Sequence, residues 1–309
     1  MSDAKTPFAA VADWGTTRFR LWTLDADGNV LRESRGDDGL LHAKEAGFET
    51  ILERHLASVD APVDLPVVIC GMAGSRTGWI EAPYMSLPAG LEGIVAAAVR
   101  VPARRRVIML PGVARRSEDA PDVMRGEETK LLGLVHRGTR DAVVVMPGTH
   151  AKWVQIADGR LNDYRSFMTG ELFALLKEKS VLAGALEGSA SVDPNSAAFA
   201  AGVKSSLETP ELISNALFTV RAGWLVHDYK PSDQLARLSG LLIGLEVAGG
   251  RKIFGECHDV LLLSDGMMGA LYASALEIAG LKVKRIEADE LVRDGLFMAA
   301  KHAFAGGKQ

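Results

Sequence analysis

The spacing of apolar and polar residues changes several times along the chain, and each change marks an element. FAAVAD, Phe8 to Asp13, is a short apolar run ending in an acid, which predicts a buried strand. WGTT follows as a tight Gly-containing turn, and RFRLWTL then alternates roughly residue by residue, the period of a strand with one face covered. After the turn DADG, Asp25 to Gly28, NVLRES reads as a third strand, so short turns join three strands into a meander. The same grammar returns near the middle: AVVVM (Ala142 to Met146), PGTH, AKWVQIA, the turn DGR and LNDYRSF. In both copies a Gly-Thr pair, Gly15-Thr16 or Gly148-Thr149, stands between an apolar strand and an alternating one. This weak internal repeat fits two related domains of similar size.

After each meander the period lengthens. Ala46 to Ser58 carries apolar residues at helical spacing, and LPVVIC (Leu65 to Cys70) reads as a buried strand ending at GMAGS. In the second half, TGELFALLKEKSVL predicts a helix with Thr169 as its cap and Leu172, Phe173, Leu175 and Leu176 on one broad face. VLLLSDG (Val260 to Gly266), MMGALYASALEIAG and KVKRI read as strand, helix and strand. Glu187 to Pro210, rich in Ser, Ala and Gly, reads as an irregular connection or a lid. The pattern predicts two α/β domains, 1–137 and 138–309, each opening with a three-strand ribbon, with the final helix free to pack back on the first. A cleft between them is the default place for a small-molecule site.

Composition narrows the class. Of 309 residues, 48% are hydrophobic and 24% charged, as in a soluble globular protein. Lys plus Arg total 35 against 39 Asp plus Glu, a net charge of −4 that gives no general pull toward nucleic acid or anionic membranes. The run RRR within Pro102 to Arg106 reads as a solvated strand entrance ahead of an anion patch. Two cysteines in unrelated contexts, Cys70 and Cys257, argue against a disulfide scaffold and a structural zinc site. The N-terminus does not resemble a secretory signal, and no stretch reaches the roughly 20 apolar residues that span a bilayer, so a cytoplasmic location without membrane or nucleic-acid partners is the expectation. A homo-oligomer stays open.

Several residues could carry chemistry. Asp13 closes its strand just before WGTT; a carboxylate there could bind Mg2+ while turn amides and Thr hydroxyls hold phosphate oxygens. Gly15 and Gly148 let a ligand approach the backbone closely, and two opposed turns could clasp a polyphosphate. In GEET, Glu127 and Glu128 open a probable helix, where one could act as general base and either would also suit an ordinary first turn. Arg18, Arg76, Arg125 and Arg221 are candidate anion ligands, with Arg76 and Arg125 favoured by their Gly-containing loops. His150 reads as local structure, Lys152 as a phosphate contact or an exposed strand residue, and Trp14, Trp79, Tyr84 and Trp153 chiefly as packing. The chain lacks GxGxxG and GxxxxGK[ST] signatures, and GMAGS is not a GxSxG elbow.

Together, DWGTTRFRLW, GMAGSRTGWIEAPY, DVMRGEETKLLG, MPGTHAKWV, FMTGELFALL and SGLLIGLE, with a weaker match in LLLSDGMMGALYASALEIAG, resemble the 2-dehydro-3-deoxygalactonokinases of the sugar kinase, heat-shock protein and actin superfamily. The resemblance implies an actin-like ATPase fold of two ribonuclease-H-like domains, the first binding a sugar acid and the second ATP. It implies transfer of the γ-phosphoryl group to the C6 hydroxyl of 2-dehydro-3-deoxy-D-galactonate. By the same resemblance Asp13 is the metal-associated acid, Gly15, Thr16 and Thr17 form the first phosphate loop, Gly148 and Thr149 form the second, and Gly266 meets the nucleotide. Glu127 stands where related carbohydrate kinases carry a catalytic Asp, ahead of Glu128. Arg18, Ser75, Arg76, Trp79, Arg125 and Glu128 make up the implied substrate-binding set, with either Arg76 or Arg125 on the carboxylate. Two departures accompany the match: Glu replaces Asp as the base, and Asp265-Gly266 replaces the usual Gly-Gly pair. A kinase for another aldonate or sugar, and a noncatalytic nucleotide-dependent sugar sensor, are the alternatives.

Overall fold

A computed structural model describes residues 6–189, 191–255 and 258–304; Cys257 lies outside the described residues, and Cys70 is a buried free thiol. Contacts divide the chain into two units. The first holds the described residues through Asp141, with Ile156–Asp163 and those from Ala288 onward; the second holds Ala142–Gln155 and Tyr164–Glu287.

The first unit begins with β1 (Ala9–Trp14), β2 (Phe19–Leu24) and β3 (Val30–Gly36), followed by α1 (Leu40–Ala46), α2 (Phe48–Ser58) and β4 (Val67–Gly71). Then come β5 (Met85–Ser86), α3 (Leu91–Ala96), β6 (Val99–Val101), β7 (Val107–Met109), β8 (Val113–Arg115), β9 (Asp122–Met124) and α4 (Glu127–His136). Six strands form one sheet in the order β3-β2-β1-β4-β7-β6, and β5-β8-β9 form a small second sheet. β1 pairs antiparallel with β2 and parallel with β4, in register from Ala10 opposite Val67 to Trp14 opposite Gly71. That register sets Asp13 beside Cys70 at the end of two adjacent strands. The core beneath contains Trp14, Phe19, Leu21, Ile51, Leu52, Leu56 and Ile69, all without solvent exposure.

The chain continues with β10 (Ala142–Met146), β11 (Ala151–Ala157), β12 (Arg160–Phe167), α5 (Thr169–Lys179), α6 (Ala183–Leu186), α7 (Ala197–Glu208), α8 (Ile213–His227) and α9 (Pro231–Phe254). It ends in β13 (Asp259–Leu263), α10 (Gly266–Ile278), β14 (Lys282–Ile286) and α11 (Ala288–Phe304). The second sheet runs β12-β11-β10-β13-β14, with β13 parallel to both neighbours. Strand for strand this repeats the first sheet's β3-β2-β1-β4-β7, so the repeat legible in the turns extends to the topology of each half.

Three expectations are corrected. Half of the segment from Glu187 to Pro210 is not irregular: α7 occupies its later part, capped by Ser196, whose hydroxyl accepts from Phe199 N at 3.3 Å, while the described residues before it lie in no helix or strand. Its small residues serve helix packing, since a Cβ on Gly202 would lie 2.5 Å from Arg237 O of α9, and one on Gly240 would overlap Phe199 O. The RRR run leads into β7 and is a solvated entrance at Arg104 and Arg106 but not at Arg105. Arg105 is buried with its fork on Glu53, whereas Arg104 and Arg106 are exposed, the latter lying 4.7 Å over the Phe304 ring. On α5, Phe173 and Leu176 pack on the core, whereas Leu172 and Leu175 face solvent, so the predicted apolar face is narrower than drawn.

In the first unit α11 crosses α4 at a contact only glycine permits: a Cβ on Gly133 or Gly295 would overlap the other helix's backbone. α4 carries Glu127 and Glu128 at its start, so this crossing fixes their place.

Candidate active site

The first Gly-Thr turn is held from below. Gly15 N donates to Arg18 O at 2.9 Å and closes the hairpin, while the carbonyls of Gly15 and Thr16 accept from Leu40 N and Leu41 N at 2.9 and 3.3 Å. The turn therefore rests on the first amides of α1, whose N–H groups have no partner within the helix. Gly39 permits this approach, because a Cβ there would overlap the backbone of Thr16 and Thr17. Asp38 anchors the same segment: its carbonyl accepts from Trp14 Nε1 at 2.9 Å, and its carboxylate meets Arg54 at 2.6 Å and His55 Nε2 at 2.9 Å. Thr16, Thr17 and Arg18 are left exposed.

Beside the turn lies a cavity of about 140 Å3 lined by Asp13, Gly15, Arg18, Arg20, Lys130 and Asp289. Burial pushes the Asp13 carboxyl above its ordinary value, with Lys130, Arg20 and the Cys70 thiol at 3.8 Å pulling it back and the Glu127 charge adding to the rise. Arg20 in turn bonds Asp289 at 2.5 Å. Sequence reasoning missed Arg20, Lys130 and Asp289, which come from three distant segments; the one local signal was Arg20, a cation in the alternating strand just past the turn. Among the described residues no three His, Cys, Asp or Glu side chains gather as a metal cage. A single carboxylate fits Mg2+ arriving with a nucleotide, because that ion commonly takes one or two protein carboxylates plus phosphate oxygens.

The two glutamates at the start of α4 differ sharply. Gly126, at φ 104°, turns the chain so that Arg125 N donates to Glu127 at 3.1 Å and Gly126 N to Glu128 at 2.7 Å. Glu128 is fully buried and also accepts from Thr129 Oγ1 at 3.2 Å; burial, then the neighbouring Glu127 charge, pushes its carboxyl up to about 8. Near neutral pH it is a proton-carrying structural group. Glu127 is half-buried and within electrostatic reach of Asp13.

Of the remaining sequence candidates, Arg76 is 86% exposed and pairs loosely with Glu81 at 3.5 Å. Trp79 stacks on Phe48 with ring centroids 5.9 Å apart and meets Trp14 edge-on, so its face belongs to the core. Arg125 donates through Nη2 to Ala82 O at 2.8 Å and lies 4.4 Å over the Tyr84 ring. Ser75 follows Gly74, against which Arg125 Nη1 packs. Arg221 sits on α8 of the second unit and donates to Val181 O at 2.7 Å.

The second turn repeats the support of the first. Thr149 O accepts from Glu171 N, near the start of α5, at 3.0 Å, and a Cβ on Gly170 would lie 2.5 Å from Gly148 O. His150 bonds Glu171 at 2.6 Å. Lys152 is buried and donates to His150 O at 3.0 Å, correcting the exposed-strand expectation. Thr169 does not cap α5: it is the first helical residue, and its hydroxyl donates to Glu246, a charged acceptor stronger than a backbone group.

Gly148 opens onto a cavity of about 280 Å3 walled by Phe173, Leu235, Leu242, Ile243, Met267 and Leu271, with Thr169 and Tyr272 supplying hydroxyls. Gly266, at φ 58°, begins the helix that carries Met267 and Met268 to this wall. Underneath, Glu246 accepts from Trp153 Nε1 at 3.0 Å, from Tyr272 Oη at 2.6 Å and from Thr169. Burial raises its carboxyl to about 7 against the pull of these three donors. The sequence signal for Glu246 was a lone acid within the apolar run SGLLIGLE, which a buried-helix reading leaves unexplained.

Repeated strand order and two glycine turns, each seated on a helix start, define the two-lobed actin-like ATPase fold of the sugar kinase superfamily. Residues 13–299 match the family described as 2-keto-3-deoxy-galactonokinase, and the chain belongs to that family. It is 47% identical over 296 residues to a probable 2-dehydro-3-deoxygalactonokinase of Rhizobium meliloti (strain 1021), covering 95% of this chain and 97% of the relative. It is 36% identical over 302 residues to the 2-dehydro-3-deoxygalactonokinase of Escherichia coli (strain K12), with the same coverage. A crystal structure of a chain from Sinorhizobium meliloti assigned the same activity superposes with a TM-score of 0.94 at 46% identity, covering 96% of this chain and 99% of that one. Among the described residues no helix is long and apolar enough to cross a membrane.

Proposed function

We propose that the protein transfers the γ-phosphoryl group of ATP to the C6 hydroxyl of 2-dehydro-3-deoxy-D-galactonate, giving the 6-phosphate and ADP. In that step a bond forms between O6 and phosphorus, the bond from phosphorus to the ADP oxygen breaks, and the hydroxyl proton passes to Glu127. The observation that carries this assignment is the contrast within the acidic pair: Glu128 is buried and held as a neutral acid, whereas Glu127 is half-buried and in reach of Asp13. A general base must reach solvent-delivered substrate, and of the two Glu127 is the one not sealed in the interior.

Asp13 would hold Mg2+ brought by the nucleotide, and when bound the ion neutralises charge on the phosphates. The exposed Thr16 and Thr17 hydroxyls, and the backbone opened by Gly15, Gly148 and Thr149, are suited to phosphate oxygens. The apolar cavity behind Gly148, with Gly266 at its edge, has the lining expected for a nucleoside.

The test is the initial rate of ADP formation from Mg-ATP with 2-dehydro-3-deoxy-D-galactonate, its gluconate epimer, related hexonates, common hexoses and no acceptor. Galactonate-dependent turnover with phosphate on C6 is the expected result. Preference for another acceptor would reassign the substrate, and folded protein without acceptor-dependent turnover would remove the kinase reading.

A further inference from the structure

Arg125 is half-buried and holds two buried donors that no described group accepts from. Its Nε and Nη1 are shielded from solvent and have no hydrogen-bond partner, and the buried hydroxyl of Ser75 is likewise unpartnered. Such groups are rare in a finished interior, because a buried donor left unmade forfeits its interaction with water and gains nothing in exchange. The fork is nevertheless held firmly. Ala82 O accepts from Nη2 at 2.8 Å, and the Tyr84 ring covers one face of the guanidinium with Cζ 4.4 Å from its centroid. Gly74 makes the close seat possible, since a Cβ there would stand 2.9 Å from Nη1.

Geometry then limits what can complete the fork. Nη2 shares one edge of the guanidinium with Nε and the other with Nη1. Ala82 O, accepting along one edge, leaves the other with a full pair of parallel donors. A pair of parallel N–H groups matches the two oxygens of a carboxylate. The tyrosine on one face restricts approach to the guanidinium plane. Glu128 lies within electrostatic reach of Arg125, but its two oxygens accept from Gly126 N and Thr129 Oγ1, and Nε and Nη1 make no hydrogen bond to it.

We propose that Arg125, assisted by the Ser75 hydroxyl, is the receptor for the substrate carboxylate and the residue that makes the enzyme select sugar acids over neutral sugars. The proposal rests on the kinase reading above and adds the anchor at the end of the substrate opposite the reacting hydroxyl. Arg125 is two residues from Glu127 and its amide donates to that carboxylate, so one short backbone segment would hold both ends of the acceptor in register. Arg76, solvated and paired with Glu81, lacks the desolvation that makes an ion pair discriminating.

The experiment compares 2-dehydro-3-deoxy-D-galactonate with its C1 primary amide as acceptors for the unaltered enzyme, R125M, R125K and S75A. For the unaltered enzyme, KM for the acid should lie roughly 10- to 100-fold below that for the amide, the range of one or two charge-assisted hydrogen bonds. In R125M that gap should close, KM for the acid rising toward that for the amide; R125K should keep part of the gap and S75A most of it. Should R125M fail to fold, a narrowed gap between acid and amide KM in R125K makes the same case. A gap that survives in folded R125M, or an equal loss on acid and amide, would overturn the receptor and leave only water at the fork. Calorimetric binding of the acid and the amide to the unaltered enzyme and R125K separates the two readings. Charge-selective binding lost in R125K without any turnover would keep the receptor and remove the kinase, whereas turnover without charge selectivity would do the reverse.

Discussion

The two units use one backbone plan for different surroundings. In the first, the turn at Gly15 borders a small cavity lined by charged groups: Asp13, Arg18, Arg20, Lys130 and Asp289. In the second, the turn at Gly148 opens on a cavity twice that volume whose walls are mainly aliphatic, with its one acid, Glu246, sunk beneath the floor and tied to three donors. The strand ends themselves mark the divergence, since Asp13 of β1 is matched by Met146 of β10 at the same step before the turn. A turn seated on a helix start is thus a general cradle, and the side chains around it surround one copy with charged groups and the other with an apolar wall.

The largest test of that division is E127Q. It should lower kcat roughly 100- to 10,000-fold with little change in nucleotide affinity; near-normal turnover in a folded protein that binds ATP would remove the base from the charged half. Next come the glycines under the turns. G39A and G170A should each cost about 1–3 kcal/mol of stability through overpacking. Their kinetic effects should part, G39A lowering kcat and G170A raising KM for ATP; the same pattern in both would erase the distinction between the copies.

The buried acids give a pH comparison. Both carboxyls are raised from the ordinary value of 4.5, Glu128 to about 8 and Glu246 to about 7, so the folded state binds more protons than the unfolded chain between those limits. Stability therefore falls as pH rises through the window, by at most about 1.4 kcal/mol per pH unit for each group. Urea titrations from about pH 5 to 8 should show a flatter profile in both E128Q and E246Q, with the E128Q flattening extending about one unit higher; an unchanged slope in either variant would contradict its burial. Smallest is S196A, which removes the cap of α7 and should cost the second unit about 1 kcal/mol, read as a lowered urea midpoint at constant slope.

The repeated turns and strands were legible because they depend on local rules: apolar runs, alternation and a glycine at each corner. α7 was not, because Gly202 and Ser206 look like loop residues until α9 is laid against them. The resemblance put Glu127 ahead of Glu128 as the expected base, whereas the full burial of Glu128 beside a half-buried Glu127 is something adjacent positions on a helix do not reveal. The open donors of Arg125 were equally invisible: two arginines, Arg76 and Arg125, stood in Gly-containing loops, and only the fold buries Nε and Nη1 of one of them without a hydrogen-bond partner.

The crossing of α4 and α11 also bears on the order of events at the ribosome. α11 is the last described element, while its partner α4 is made before any of the second unit. The second unit can close its core once residue 287 has emerged, but the helix start bearing Glu127 must wait for Gly295 before Gly133 has its partner. A nascent chain halted between these points would hold a second unit with a closed core while α4 of the first unit still lacked the helix that packs against it.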